Sequence, residues 1–168
     1  MDYICSNCGK PARKTRGNYL FRECGLNNIV LKDIEIMKCD SCGNEDPIIA
    51  RITMVMRTIA LALANKPFAL CGEEIRYLRK YLGMSGDTFS SFLHTDKSVL
   101  SRWENNREPV GPKSDRLIRL VVLGLGAGLR QEVEQGVRRF TEIDESPKEL
   151  MVGLDPKDLS YEYETMLR

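Results

Sequence analysis

The 168 residues leave room for two small domains and a tail but for no single large core, and 42% hydrophobic with 29% charged residues excludes a disordered or membrane-embedded chain. The formal net charge of +1 hides an asymmetry: from Thr141 onward there are eight acidic and three basic residues, which leaves 22 basic against 16 acidic in residues 1–140. A moderately basic body admits a nucleic-acid partner without demanding one.

The opening Met1-Asp2-Tyr3-Ile4-Cys5 has neither the basic start nor the apolar run of a secretory signal, which predicts a cytoplasmic protein without structural disulfides. Residues 1–47 form the first unit. They contain Cys5-Ser6-Asn7-Cys8-Gly9 and Cys39-Asp40-Ser41-Cys42-Gly43, two copies of one device. Two residues between cysteines let both thiolates reach one ion, and the glycine frees the backbone to turn its amides toward the sulfurs. Two such pairs complete a tetrahedron, so Cys5, Cys8, Cys39 and Cys42 are expected to hold a structural Zn2+ with no open position for substrate. A unit this short needs such help, because it cannot bury enough apolar surface to fold alone. A redox dithiol would need only one pair, and iron–sulfur sites use other spacings. Between the pairs, Asn18–Arg22 and Ile29–Met37 read as strands, with a turn at 25–28. Cys24 and Cys71 are left over and read as inert core thiols, with an oxidant-sensing role as the alternative.

Pro47 is expected to close the module. Residues 48–70 then read as a connecting apolar helix and linker: Ile48 to Ala64 is apolar at helical spacing, too short to span a bilayer, which takes roughly 20 residues, and interrupted by Arg51 and Arg57. Residues 71–124 carry a pattern of four short helices. The first covers about Glu73 to Tyr81, the second starts after Ser85 as its cap, the third is capped by Asp96 and continues to about Asn105, and the fourth carries Leu117, Leu120 and Val121. Residues 125–168 are an acidic extension. Within it Arg130 to Phe140 suggests a helix, and Ser146-Pro147 and Asp155-Pro156 resemble helix starts. The predicted class is thus α+β and multidomain: a small zinc-bound, β-rich N-terminal module followed by an all-α helix-turn-helix domain.

The third helix divides by face. Val99, Leu100 and Trp103 would anchor it, while Ser98, Ser101, Arg102 and Asn105 make an outward polar stripe beside Lys97. Any surface helix shows such a stripe. A short helix and a tight turn at His94-Thr95-Asp96 ahead of it give the stripe a context that fits the DNA major groove. Ser98-Val99-Leu100-Ser101-Arg102-Trp103-Glu104-Asn105 resembles the third helix of Xre-type repressors, and the two cysteine pairs ahead of it resemble the MqsA-like antitoxin family. The resemblance covers about residues 1–124. It implies a zinc-binding N-terminal domain, a DNA-binding domain, a homodimer on a palindromic operator in double-stranded DNA, and a toxin protein bound through the zinc module. The family's base-reading Asn and Arg correspond to Ser98 and Arg102, so the Arg is kept and the Asn is not.

Arg102 is therefore the expected base reader, with Lys97, Ser98, Ser101 and Asn105 along the stripe and Lys97 and Arg107 toward phosphates. Trp103 reads as core, Glu104 as an internal ion-pair partner, and His94, the one histidine, as a capping or packing residue. No catalytic set is legible, and the glycines at 124–128 follow a helix rather than a strand, which argues against nucleotide binding. The expected protein is a non-enzymatic repressor that autoregulates a toxin–antitoxin operon. The alternatives are a zinc-dependent interaction adaptor and a stand-alone, redox-responsive regulator.

Overall fold

The structure is a computed structural model that describes residues 3–126, 150–154 and 161–165, with side chains from 3 to 124. The expected helix at 130–140 and both Pro-containing helix starts lie outside these residues.

The N-terminal half is a four-stranded antiparallel meander, β1 (Tyr3–Ile4), β2 (Pro11–Leu20), β3 (Val30–Lys38) and β4 (Glu45–Ile48), in the order β1-β2-β3-β4. The central hairpin is longer than the apolar pattern indicated, because β2 begins at Pro11 with a run of exposed, charged residues. Those residues are held by cross-strand ion pairs, Arg13 with Asp40, Lys14 with Glu35 and Arg16 with Asp33. The two short strands were not legible at all. A shift in register between Gly17 and Tyr19 bends the hairpin, and Asp33, with φ 52°, donates its amide to Asn18 across the irregularity.

Pro47 does not end the module. It sits inside β4, opposite Ile36, on an edge strand that does not need its missing amide. The apolar stretch that follows is therefore not one helix from Ile48: Ile48 is strand, Arg51 turns the chain in the left-handed region (φ 60°), and α1 runs Ile52–Ala64. Four more helices follow: α2 (Gly72–Tyr81), α3 (Gly86–Phe92), α4 (Lys97–Glu104) and α5 (Pro112–Gly126). Ser85 caps α3 as expected, its Oγ accepting from the Thr88 amide at 3.1 Å. Asp96 occupies the cap position of α4 without a side-chain cap bond.

The apolar residues that mark α5 in the sequence do not all share its inward face. Ile118, Val121 and Val122 are buried with Asp115, whereas Leu117 and Leu120 face outward. The buried Asp115 decides this. Its carboxylate accepts from the Leu70 amide (2.8 Å) and from Arg119 (2.7 Å). Arg119 in turn donates to the carbonyls of Ala64, Lys66 and Phe68 (3.2, 2.6 and 2.6 Å), which satisfies one orphan carbonyl at the end of α1 and two in the bend after it.

One apolar core runs through most of the molecule. Phe21 and Leu26, from the β2–β3 connection, are buried in the same cluster as Ile59 and Leu63 of α1, Ile75 and Leu78 of α2, Leu100 and Trp103 of α4, and Ile118 of α5. A separate antiparallel hairpin is formed by β5 (Leu150–Leu154) and β6 (Tyr161–Thr165).

Candidate metal centre and nucleic-acid interface

Cys5 follows β1 and Cys39 follows β3, and each opens an identical tight turn. The Gly9 amide donates to the Cys5 carbonyl (3.0 Å) and the Gly43 amide to the Cys39 carbonyl (2.9 Å). The Cys5 and Cys39 amides donate to Lys10 and Asn44 across each loop (2.8 and 2.9 Å). Gly9 and Gly43 close the loops with φ of 70° and 73°, a region where a side chain would be strained. The sheet order brings the loops together, because β2 returns from the first and β3 leads into the second. The Sγ atoms of Cys5 and Cys42 are 3.6 Å apart and those of Cys8 and Cys39 3.5 Å, and all four lie within 4.8 Å of one another. The 30-residue gap between the pairs is thus spanned by the central hairpin.

Four sulfurs around an ion with metal–sulfur bonds of about 2.3 Å are separated by roughly 3.8 Å in a tetrahedron, so this donor set fits one tetrahedral thiophilic cation. Cys5 and Cys39 are buried, while Cys8 and Cys42 face solvent. The amides of Cys42 and Ser41 pull the Cys39 thiol down to about 7, a poised metal ligand. Cys8 behaves oppositely: the Lys10 amide favours its thiolate, but the thiols crowded against it, Cys42 first, hold it up at about 12. A cation relieves that crowding by taking all four as thiolates. Around the knuckles, Ser6 donates to Asp46 (2.8 Å) and Asn44 donates to both Ser6 and Asp46 (3.2 and 2.9 Å), which ties the first loop to β4. Those braces were missed from sequence, since nothing local pairs residue 6 with residue 46.

On the other half of the molecule, α3, the turn at His94 (φ 48°) and α4 form a compact pair packed on α2. Leu100 and Trp103 are buried and Val99 is half-buried, while Lys97, Ser98, Ser101, Arg102, Asn105 and Arg107 are all exposed. The cysteines are brought together; the six polar residues share the outer side of α4 and the loop after it. Lys97 pairs with Asp87 of α3 (2.8 Å) and Arg102 with Glu108 (2.8 Å). Asn105 is partly committed within the fold. Its amide donates to the Ser101 carbonyl (2.7 Å), and its oxygen accepts from Arg76 (2.8 Å).

The end of α4 is clamped to α2. Arg79 donates to both oxygens of the buried Glu104 carboxylate (2.6 and 3.0 Å), the internal pair expected for Glu104. Asn106, in the left-handed region, accepts from the Gly72 amide (2.6 Å) and donates to Glu73 (2.8 Å). The Asn106 bond holds the Glu73 carboxyl below the usual range. Among the described residues no helix is long and apolar enough to cross a membrane. The chain matches no protein-family model, and no curated protein matches it.

Proposed function

We propose that this protein is a sequence-specific DNA-binding repressor, an antitoxin-like autoregulator whose four cysteines hold a structural zinc ion. The observation that carries the reading is the α3–turn–α4 pair, in which a buried Leu100/Trp103 face fixes α4 while an unbroken polar side faces solvent. An exposed helix of this kind fits the major groove, where Arg102 would bond a guanine edge bidentately and Lys97 and Arg107 would meet phosphates. On this reading the protein acts as a homodimer on a palindromic operator, with half-sites about one helical turn, roughly 34 Å, apart.

Zinc is the reading for the metal because four thiolates in a tetrahedron leave no site for catalysis and suit a closed structural centre. The module also offers a surface for a partner toxin. A groove of about 560 Å³ between the start of β3 and α1 is lined by Ile29, Leu31 and Val55 together with the exposed Val30 and Met54. The same groove favours the adaptor as the second reading. The redox reading has less support: burial raises the Cys24 thiol, and desolvation together with the Glu74 carboxylate raises that of Cys71, away from the reactive thiolate.

The test is retardation of the DNA fragment upstream of the protein's own gene on a native gel. Binding is expected to weaken with salt, and Arg102→Ala is expected to cost about 1–3 kcal/mol on that fragment and little on random duplex. Equal loss on both duplexes, or no retardation at all, favours the adaptor.

A further inference from the structure

The outer side of α4 is electrically balanced, which is unusual for a helix meant to meet a polyanion. Its exposed cations are Lys97, Arg102 and Arg107; the exposed acids around them are Asp87, Asp96 and Glu108. Two of the cations are already engaged. Lys97 Nζ lies 2.8 and 2.9 Å from the two Asp87 oxygens, with side chains 66% and 71% exposed. Arg102 Nε lies 2.8 Å from Glu108 Oε2, with side chains 44% and 46% exposed.

We propose that Asp87 and Glu108 set the DNA selectivity of this face by occupying Lys97 and Arg102 until a matching duplex displaces them; the proposal rests on the DNA-binding reading above. Asp87, in the first turn of α3, meets α4 at its first residue, and Glu108, on the loop after α4, meets Arg102 in its last turn. A phosphate offers Lys97 or Arg102 one more exposed ion pair, of the same small worth as the one it must break. A guanine edge offers Arg102 two acceptors at once in place of the single Nε bond to Glu108, and so competes where a phosphate does not. The acids also add like-charge repulsion toward every phosphate, whatever the sequence. Their combined effect is to weaken random DNA more than the operator. They are specificity-determining residues that touch the DNA-reading cations and need not touch the bases.

The experiment compares the full-length wild type with Asp87→Asn and Glu108→Gln on two probes. The first is a heparin column, a polyanion without base edges. Both variants are expected to elute at higher salt than wild type; unchanged elution overturns the proposal whatever happens with DNA. The second is paired titration of the upstream fragment and a scrambled duplex of equal length. Each variant is expected to bind the scrambled duplex about twofold to fivefold more tightly, with log affinity falling against log salt more steeply by about 0.9 per carboxylate removed. The upstream fragment should gain less, so the ratio between the two duplexes drops. Equal gains on both also overturn the proposal. Later elution from heparin with no retardation of the upstream fragment by any variant leaves the acids neutralising this face and overturns the DNA-binding reading instead.

Discussion

Gly72 is the most crowded of the described glycines. It opens α2, and a Cβ there would stand 2.8 Å from the Asn106 side-chain oxygen and from the Glu104 backbone carbon, with the Trp103 carbonyl closer still. Backbone cannot step aside as a flexible side chain can, so Gly72→Ala is expected to cost about 3 kcal/mol, read as a lower urea midpoint at unchanged m-value. It should also loosen the end of α4, because the Gly72 amide is the one that Asn106 accepts. Tyr77 makes a second, gentler point. It is 5% exposed and donates its hydroxyl to the Met56 carbonyl at 2.8 Å, which joins α2 to α1. Tyr77→Phe is expected to cost about 1 kcal/mol. Burial pushes the Tyr77 hydroxyl well above its usual value of 10.0, so the folded state holds this proton more tightly than the unfolded chain. The contribution is therefore complete below about pH 10 and is lost as pH rises beyond it. Urea titrations of wild type and Tyr77→Phe should show a gap that narrows above pH 10; a constant gap would mean the hydroxyl is not confined.

At the scale of elements, the sequence was most informative where chemistry and periodicity coincide. The two Cys-x-x-Cys-Gly turns, α2 to α4, and the inward Leu100 and Trp103 were all legible, because each is fixed by residues a few positions apart. Elements fixed by distant partners were not. The start of β2 is polar and is held by acids on β3 and beyond, β4 contains a proline, and the Ser6–Asp46 brace spans 40 residues. The face of α5 was not legible for a related reason. The apolar residues that mark the helix include Leu117 and Leu120, but the buried Asp115–Arg119 pair and its backbone carbonyls turn the helix so that Leu120 is 66% exposed. A salt bridge with five backbone partners has no signature in a hydrophobicity pattern. The cysteine cluster itself was foreseen down to its four members.

The molecule as a whole joins the half that carries the four-cysteine cluster to the helices through one core. Phe21 and Leu26 leave the central hairpin and are buried among α1 and α2, in the cluster that also contains Trp103. Structural zinc sites contribute on the order of 10 kcal/mol to small modules, and if the four cysteines hold zinc as proposed, part of that stabilisation is expected to reach the helical half. Removing the metal with a chelator, or replacing Cys39 by Ser, should therefore abolish strand signal in the far-ultraviolet and shift Trp103 emission to the red in a single transition, reversed by added zinc for the wild type only. Two separate transitions would show that the shared core does not couple the halves.

The guanidinium of Arg119 closes the connection between α1 and α2 by gripping the carbonyls on either side of the bend. With that joint locked, the segment from residue 65 to 71 cannot serve as an elbow, and the burial of Phe21 and Leu26 with α1 and α2 keeps the cysteine-bearing half attached to the same braced unit.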